Sequence, residues 1–140
     1  MSSADIQAFA ASHPGMTQTC LDDVRWGRRN WGDATPRNGC FEMEPAKRWR
    51  GLWDSGWEWS IFCAEPARNC RTFPEKGDSW LVFSDGAYKG PHLQDGLYEI
   101  EFVGRRTAKP AYFGHLNQYD YEMVVDRMIA IRMIRPEPRD

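Results

Sequence analysis

From Lys47 onward the apolar residues of this chain recur with a period of two. Trp49, Gly51 and Trp53 alternate with Arg50 and Leu52, and Trp57, Trp59 and Ile61 alternate with Glu58 and Ser60. A strand sends successive side chains to opposite faces, so this pattern belongs to a strand and not to a helix. Asp54-Ser55-Gly56 lies between the two runs and predicts a three-residue hairpin loop with its glycine in the left-handed position. Trp49, Trp53, Trp57 and Trp59 share one parity, which places them on one face. Exposed, such a face is a stacking platform for sugars, bases or a partner's apolar side chains. Buried, it is core, the ordinary place for tryptophan in a small domain.

The same pattern continues downstream. Residues 79–84 are apolar on both parities, as in a central strand covered on both faces. Residues 97–103 alternate, with Tyr98, Ile100 and Phe102 on one side and Glu99 and Glu101 on the other. Residues 104–110 read as a basic loop carrying Arg105, Arg106 and Lys109. Residues 121–134 have the β-branched content of a long bent strand, with a partly helical course as the alternative. Five or six strands without alternating helices point to a mainly β fold that closes to hide its edges. The expected fold is a small closed or partly open antiparallel barrel of OB type, or else a small β-sandwich, with an irregular N-terminal arm.

That arm occupies residues 1–46. A short helix over residues 1–12, around Ile6, Phe9 and Ala10, ends at His13-Pro14-Gly15. Residues 16–46 are rich in Gly, Asn, Asp, Pro and Arg, with Trp26, Trp31, Phe41 and one helical turn near residues 21–26. So long an irregular segment needs a staple. Four cysteines are available, Cys20, Cys40, Cys63 and Cys70. The spacing favours Cys63–Cys70, around a short loop containing Pro66, which leaves Cys20–Cys40 to close the arm. Free thiols and zinc are the alternatives, but intervening gaps of 19, 22 and 6 residues contain no zinc knuckle. The chain thus divides into the arm, a β domain over residues 47–135 and a flexible tail over residues 136–140.

Composition narrows the function classes. The 140 residues carry 18 basic and 20 acidic side chains, a balance that argues against nucleic acid as the main partner. No apolar run approaches the ~18–20 residues of a membrane-spanning helix. Residues 1–11 lack the basic and apolar regions of a secretory signal, so cysteine use favours a periplasmic or secreted protein while a cytoplasmic one stays open. No Gly-x-Ser-x-Gly elbow, phosphate-cradling glycine loop or His-Glu-x-x-His helix occurs. His13, His92 and His115 are too scattered for a metal site, and no metal or cofactor is implied.

Three constellations remain. The first is the tryptophan hairpin, where Glu58 would need a partner carboxylate such as Asp54 to act as a general acid. The second is Arg105-Arg106 with His115, a possible clamp for a carboxylate or phosphate. Its plain alternative is a solvated loop with the arginines paired to Glu99 or Glu101. The third is Asp126-Arg127, two charges in an apolar run that suit an ion pair with a neighbouring strand.

At Trp49-Arg-Gly-Leu-Trp53, Ser60-Ile-Phe62, Tyr98-Glu-Ile-Glu-Phe-Val-Gly-Arg-Arg-Thr107, Gly114-His-Leu116 and Val124-Val-Asp-Arg-Met-Ile129 the chain resembles a loose group of short bacterial proteins, many exported or lipid-anchored. The resemblance covers residues 49–134. It implies a compact β domain used outside the cytoplasm and carries no activity. The expected function is a non-enzymatic binding or interaction module. It would contact a partner protein or small ligand through Trp53, Trp57, Glu58, Trp59, Arg105, Arg106 and His115. The alternatives are a small hydrolase of a cell-envelope or glycan substrate using Glu58 or Asp126, and an inhibitor or immunity-type protein. If the four cysteines are paired, reduction adds about two hydrogens per bond to the intact mass. Four thiols that alkylate without reductant would overturn the pairing.

Overall fold

The alternating stretches become five strands in a computed structural model that describes residues 2–70 and 78–138. They are β1 (Lys47–Ser55), β2 (Ser60–Ala64), β3 (Ser79–Phe83), β4 (Gly96–Arg106) and β5 (Tyr121–Pro136). Their order, β1-β2-β3-β5-β4 with β4 returning to β1, closes the sheet into a ring. The fold is therefore the small, mainly β, OB-like ring expected, with one difference. β3 and β5 run parallel, while the other four pairings are antiparallel.

Parity decides what fills the ring. Trp53, Phe62, Leu81, Tyr98, Ile100, Phe102, Met123 and Val125 point inward and form one core. Phe62 meets Phe102 edge-on at 5.1 Å, and Trp53 stacks on Tyr98 at 5.2 Å. β5 remains a strand throughout its 16 residues. It bends at three irregularities in its pairing with β4, each skipping a residue, which adds twist and lets a long strand follow a small ring.

Two local expectations are corrected. Ser55 pairs with Ser60, so the hairpin loop holds the four residues 56–59, closed by the Gly56 N–H donating to the Trp59 carbonyl at 2.9 Å. Gly56 is not left-handed. It is glycine because the Trp59 ring lies where a side chain would stand. The longer loop interrupts the alternation, so the four tryptophans do not share a face. Trp53 is core, Trp49 half-buried at the ring's rim, Trp57 fully out in the loop, and Trp59 packed on the outside. Arg105 and Arg106, expected on a loop, belong to β4, because pairing with Val124 and Met123 of β5 carries the strand past Gly104.

The arm makes a second core on the outside of the ring. Helix α1 (Ser3–Ser12) is capped by Ser2 and Asp5 and buries no residue. Helix α2 (Gln18–Arg25) buries Cys20, Leu21 and Val24. Cys20, Val24, Cys40 and Phe41 join Ile61, Leu97, Phe113 and Tyr119 in one apolar cluster. Both expected disulfides, Cys20–Cys40 and Cys63–Cys70, are formed, with Cα atoms 5.4 and 5.7 Å apart. Each link stabilises a small domain by about 2–4 kcal/mol, chiefly by restricting the unfolded chain. Backbone hydrogen bonds from Glu44 to Arg106 and from Ala108 to Glu42 stitch the arm to the end of β4. At the other terminus Pro136 still pairs with Gly96, and the Glu137 N–H donates to the Asp95 carbonyl. Residues 139 and 140 of the expected tail lie outside the described residues, as does Met1.

One carboxyl is enclosed by this packing. Glu122 of β5 stands opposite Trp80, exchanges backbone and hydroxyl hydrogen bonds with Thr107, and is only 8% exposed. Burial pushes its carboxyl from the ordinary 4.5 up to about 7, against the pull of Arg37 from the arm. Arg37 itself donates to the Phe83 carbonyl at 3.3 Å. Below pH 4.5 the group is protonated in both folded and unfolded chains, and its contribution is complete. From pH 4.5 to about 7 only the unfolded chain ionises, so stability falls, in total by roughly 3 kcal/mol. Urea titrations across that window should show the fall in the native protein and a much flatter profile in Glu122→Gln. Parallel profiles would exclude Glu122 as the cause.

Candidate functional site

Two loops meet at the β1–β2 end of the ring. The first is the hairpin turn, residues 56–59. The second, residues 114–118, is closed by reciprocal hydrogen bonds between Phe113 and Tyr119, at 2.8 and 3.1 Å. Gly114 opens it with φ at 72°, and the Trp80 ring fills the space a side chain would need. Leu116 and Asn117 follow in the left-handed region, at φ 56° and 55°. Asparagine tolerates that conformation, whereas a leucine there costs of order 1 kcal/mol. The strain is held by the closed loop, and Leu116 is 72% exposed.

The loops touch through Glu58 and His115, whose carboxylate and Nε2 are 3.9 Å apart, both about half exposed. Beside them Trp57 is 86% exposed. Trp59 is turned inward and donates its indole N–H to Asp54 Oδ1 at 3.0 Å. Beneath the loops Trp80 packs on the buried Tyr119, ring centres 5.1 Å apart. Burial pushes the Tyr119 phenol up to about 12, and the negative charges of Asp78 and Asp54 add to the effect. The result is a firm aromatic floor carrying a small tip, in which two large apolar side chains flank a carboxylate–imidazole pair.

The seven contact residues singled out by sequence are thus divided. Trp57, Glu58 and His115 come together at the tip, with Trp59 as its inner support. Trp53 is not there: its indole N–H donates to Ser60 Oγ at 2.9 Å inside the ring. Arg105 and Arg106 lie at the end of β4 remote from Gly96, the residue that pairs with Ser55 beside the hairpin turn. As neighbours on a strand they leave opposite faces. Arg105 makes two hydrogen bonds to Asp126, at 2.9 and 2.8 Å. Arg106 binds Glu44 at 3.0 Å and lies 4.4 Å over the Tyr121 ring. They form no joint clamp with His115. Nor do they pair with Glu99 or Glu101, which take Arg132 and Arg48 instead. Asp126 forms the cross-strand ion pair expected of it.

Asp54, the carboxylate considered for Glu58, is engaged by Trp59. All four cysteines are in disulfides, and among the described residues no group of three or more His, Cys, Asp or Glu side chains is placed to hold a metal ion. Sequence reasoning missed Leu116, whose left-handed conformation has only the preceding Gly114 as a local signal. It also passed over Trp26 and Trp31, exposed large apolar residues amid glycines and arginines. No protein-family model, curated protein or solved structure matches the chain.

The two kinds of tryptophan have opposite energetic roles. Trp53→Ala should cost about 3–5 kcal/mol of unfolding free energy, as a core cavity does. Trp57→Ala should change it by no more than ~0.5 kcal/mol. Urea denaturation of both variants distinguishes the assignments, and comparable losses would contradict them.

Proposed function

We propose that this protein is a non-enzymatic interaction module that works outside the cytoplasm and engages a partner protein with the Trp57–Leu116 tip. The observation that carries this is the exposure of Trp57 on a loop braced by its neighbours. A tryptophan 86% open to water contributes almost nothing to folding but is the residue type most able to anchor an interface. Leu116 extends the apolar contact, and Glu58 and His115 supply a polar rim that fixes orientation. The two disulfides suit an oxidising compartment. A tip projecting from a closed, cross-linked ring also suits insertion into another protein's cleft, the inhibitor form of the same activity, because little ordering remains to be done on binding.

The test is site-specific photo-crosslinking in cells that produce the protein. A photoreactive side chain at position 57 should yield one discrete adduct, and the same group at exposed Arg50 should not. Capture of that partner should be lost in Trp57→Ala/Leu116→Ser while the melting temperature is kept. Diffuse adducts at both positions, or capture unaffected by the double substitution, would remove the tip as the contact surface.

A further inference from the structure

A different part of the ring is left incomplete. β5 pairs with β4 along nearly its whole length but with β3 only from Tyr121 to Val125. The chain leaving β3 prolongs that contact briefly, through the Ser84 N–H to the Val125 carbonyl and the Met128 N–H to the Ala87 carbonyl, both at 2.9 Å. Beyond this point, over residues 129–135, the edge of β5 turned away from β4 has no backbone partner among the described residues. Of the apolar residues there, Met128, Ile131 and Met133 pack on the inner core, and the Gln94 amide reaches Met133 Sδ at 3.4 Å, while Ile134 is exposed. A groove of about 410 Å³ runs along the start of this edge, between Ala87, Tyr88 and Lys89 on one wall and Arg127 to Ile131 on the other.

We propose that this edge receives an extended, acidic peptide segment of another protein as an additional strand, a mode in which main-chain hydrogen bonds supply affinity and groove side chains supply selectivity. Charge identifies the occupant. Residues 127–136 contain three arginines and no carboxylate. Arg132 is paired with Glu99, but among the described residues Arg127, Arg135 and Lys89 have no ion pair. Acidic side chains on an incoming strand would meet these three cations. A second copy of this chain would not. Antiparallel self-pairing about Ile131 sets Arg127 directly against Arg135, and like charges opposed across a pair of strands destabilise it. The arginines therefore guard the edge against self-association while leaving it open to a chain of opposite charge. At Arg135 this edge approaches Asp54 and Trp59 beneath the hairpin turn, but its occupancy does not depend on the tip's function.

The probe is a synthetic peptide of about ten residues, alternating Val and Thr with two Asp at each end, compared with the same peptide flanked by Lys. Amide hydrogen exchange should show protection of alternate amides within residues 129–135 on adding the acidic peptide. The Lys-flanked peptide should bind at least about tenfold more weakly, as should the acidic peptide to Arg127→Glu/Arg135→Glu. Both arginines are exposed and unpaired, so the variant keeps its fold, which the unfolding midpoint checks. Absence of protection, protection confined to the tip, or equal binding of the two peptides would overturn the proposal. So would concentration-dependent dimerisation protecting the same amides, which would assign the edge to a second copy.

Discussion

The Trp53 indole ties its own strand, β1, to three others. It stands on β1 between Phe62 of β2 and Tyr98 of β4, stacks on Tyr98, and packs 5.3 Å from Phe83 of β3. Its N–H donates to Ser60 Oγ, and that hydroxyl donates in turn to the Leu81 carbonyl. A buried indole with an unmet N–H would be costly. Here the polar atom is relayed through one hydroxyl to a backbone carbonyl on the third strand. Closure of the ring and satisfaction of its largest side chain are therefore one arrangement. Because β2 and β3 share only a short ladder, this relay is a substantial part of what joins them.

On that ring two cores are laid back to back, sharing the sheet as a common wall. The inner one is aromatic and aliphatic, and the outer one is cross-linked. Helix α1 of the arm buries no side chain and α2 only three, too little buried surface to hold a fold alone. The arm's disulfide and its hydrogen bonds to residues 106–108 hold it where Phe41 can reach Phe113, 5.2 Å away. The same packing shapes the 114–118 loop from below, so arm, floor and tip form one mechanical series.

The legible parts of this fold are those set by local period and spacing. Alternation located β1 and β4, and cysteine spacing gave both disulfides, because each depends on a few neighbouring residues. The hairpin turn was misread because Gly56 makes room for an indole three residues on, which no turn rule encodes. Arg105 and Arg106 resembled a loop because two charges beside a glycine usually solvate. Their strand conformation comes from β5, with Asp126 and Glu44 supplied from elsewhere in the chain. Glu58 and His115 were each visible as candidates, but their meeting depends on how two loops distant in sequence are carried by the closed ring. The unpaired stretch of β5 was invisible for the same reason, since it is defined by where β3 stops.

Glu122 gives unfolding a proton count. Near pH 6 the folded chain holds this carboxyl largely protonated, while the unfolded chain ionises it. Global unfolding near pH 6 therefore discharges most of a proton into the buffer. The heat of that unfolding, measured by calorimetry, includes the ionisation enthalpy of whatever buffer accepts that proton. Repeating the measurement in two buffers of different ionisation enthalpy thus counts the exposure of Glu122 independently of any spectroscopic change.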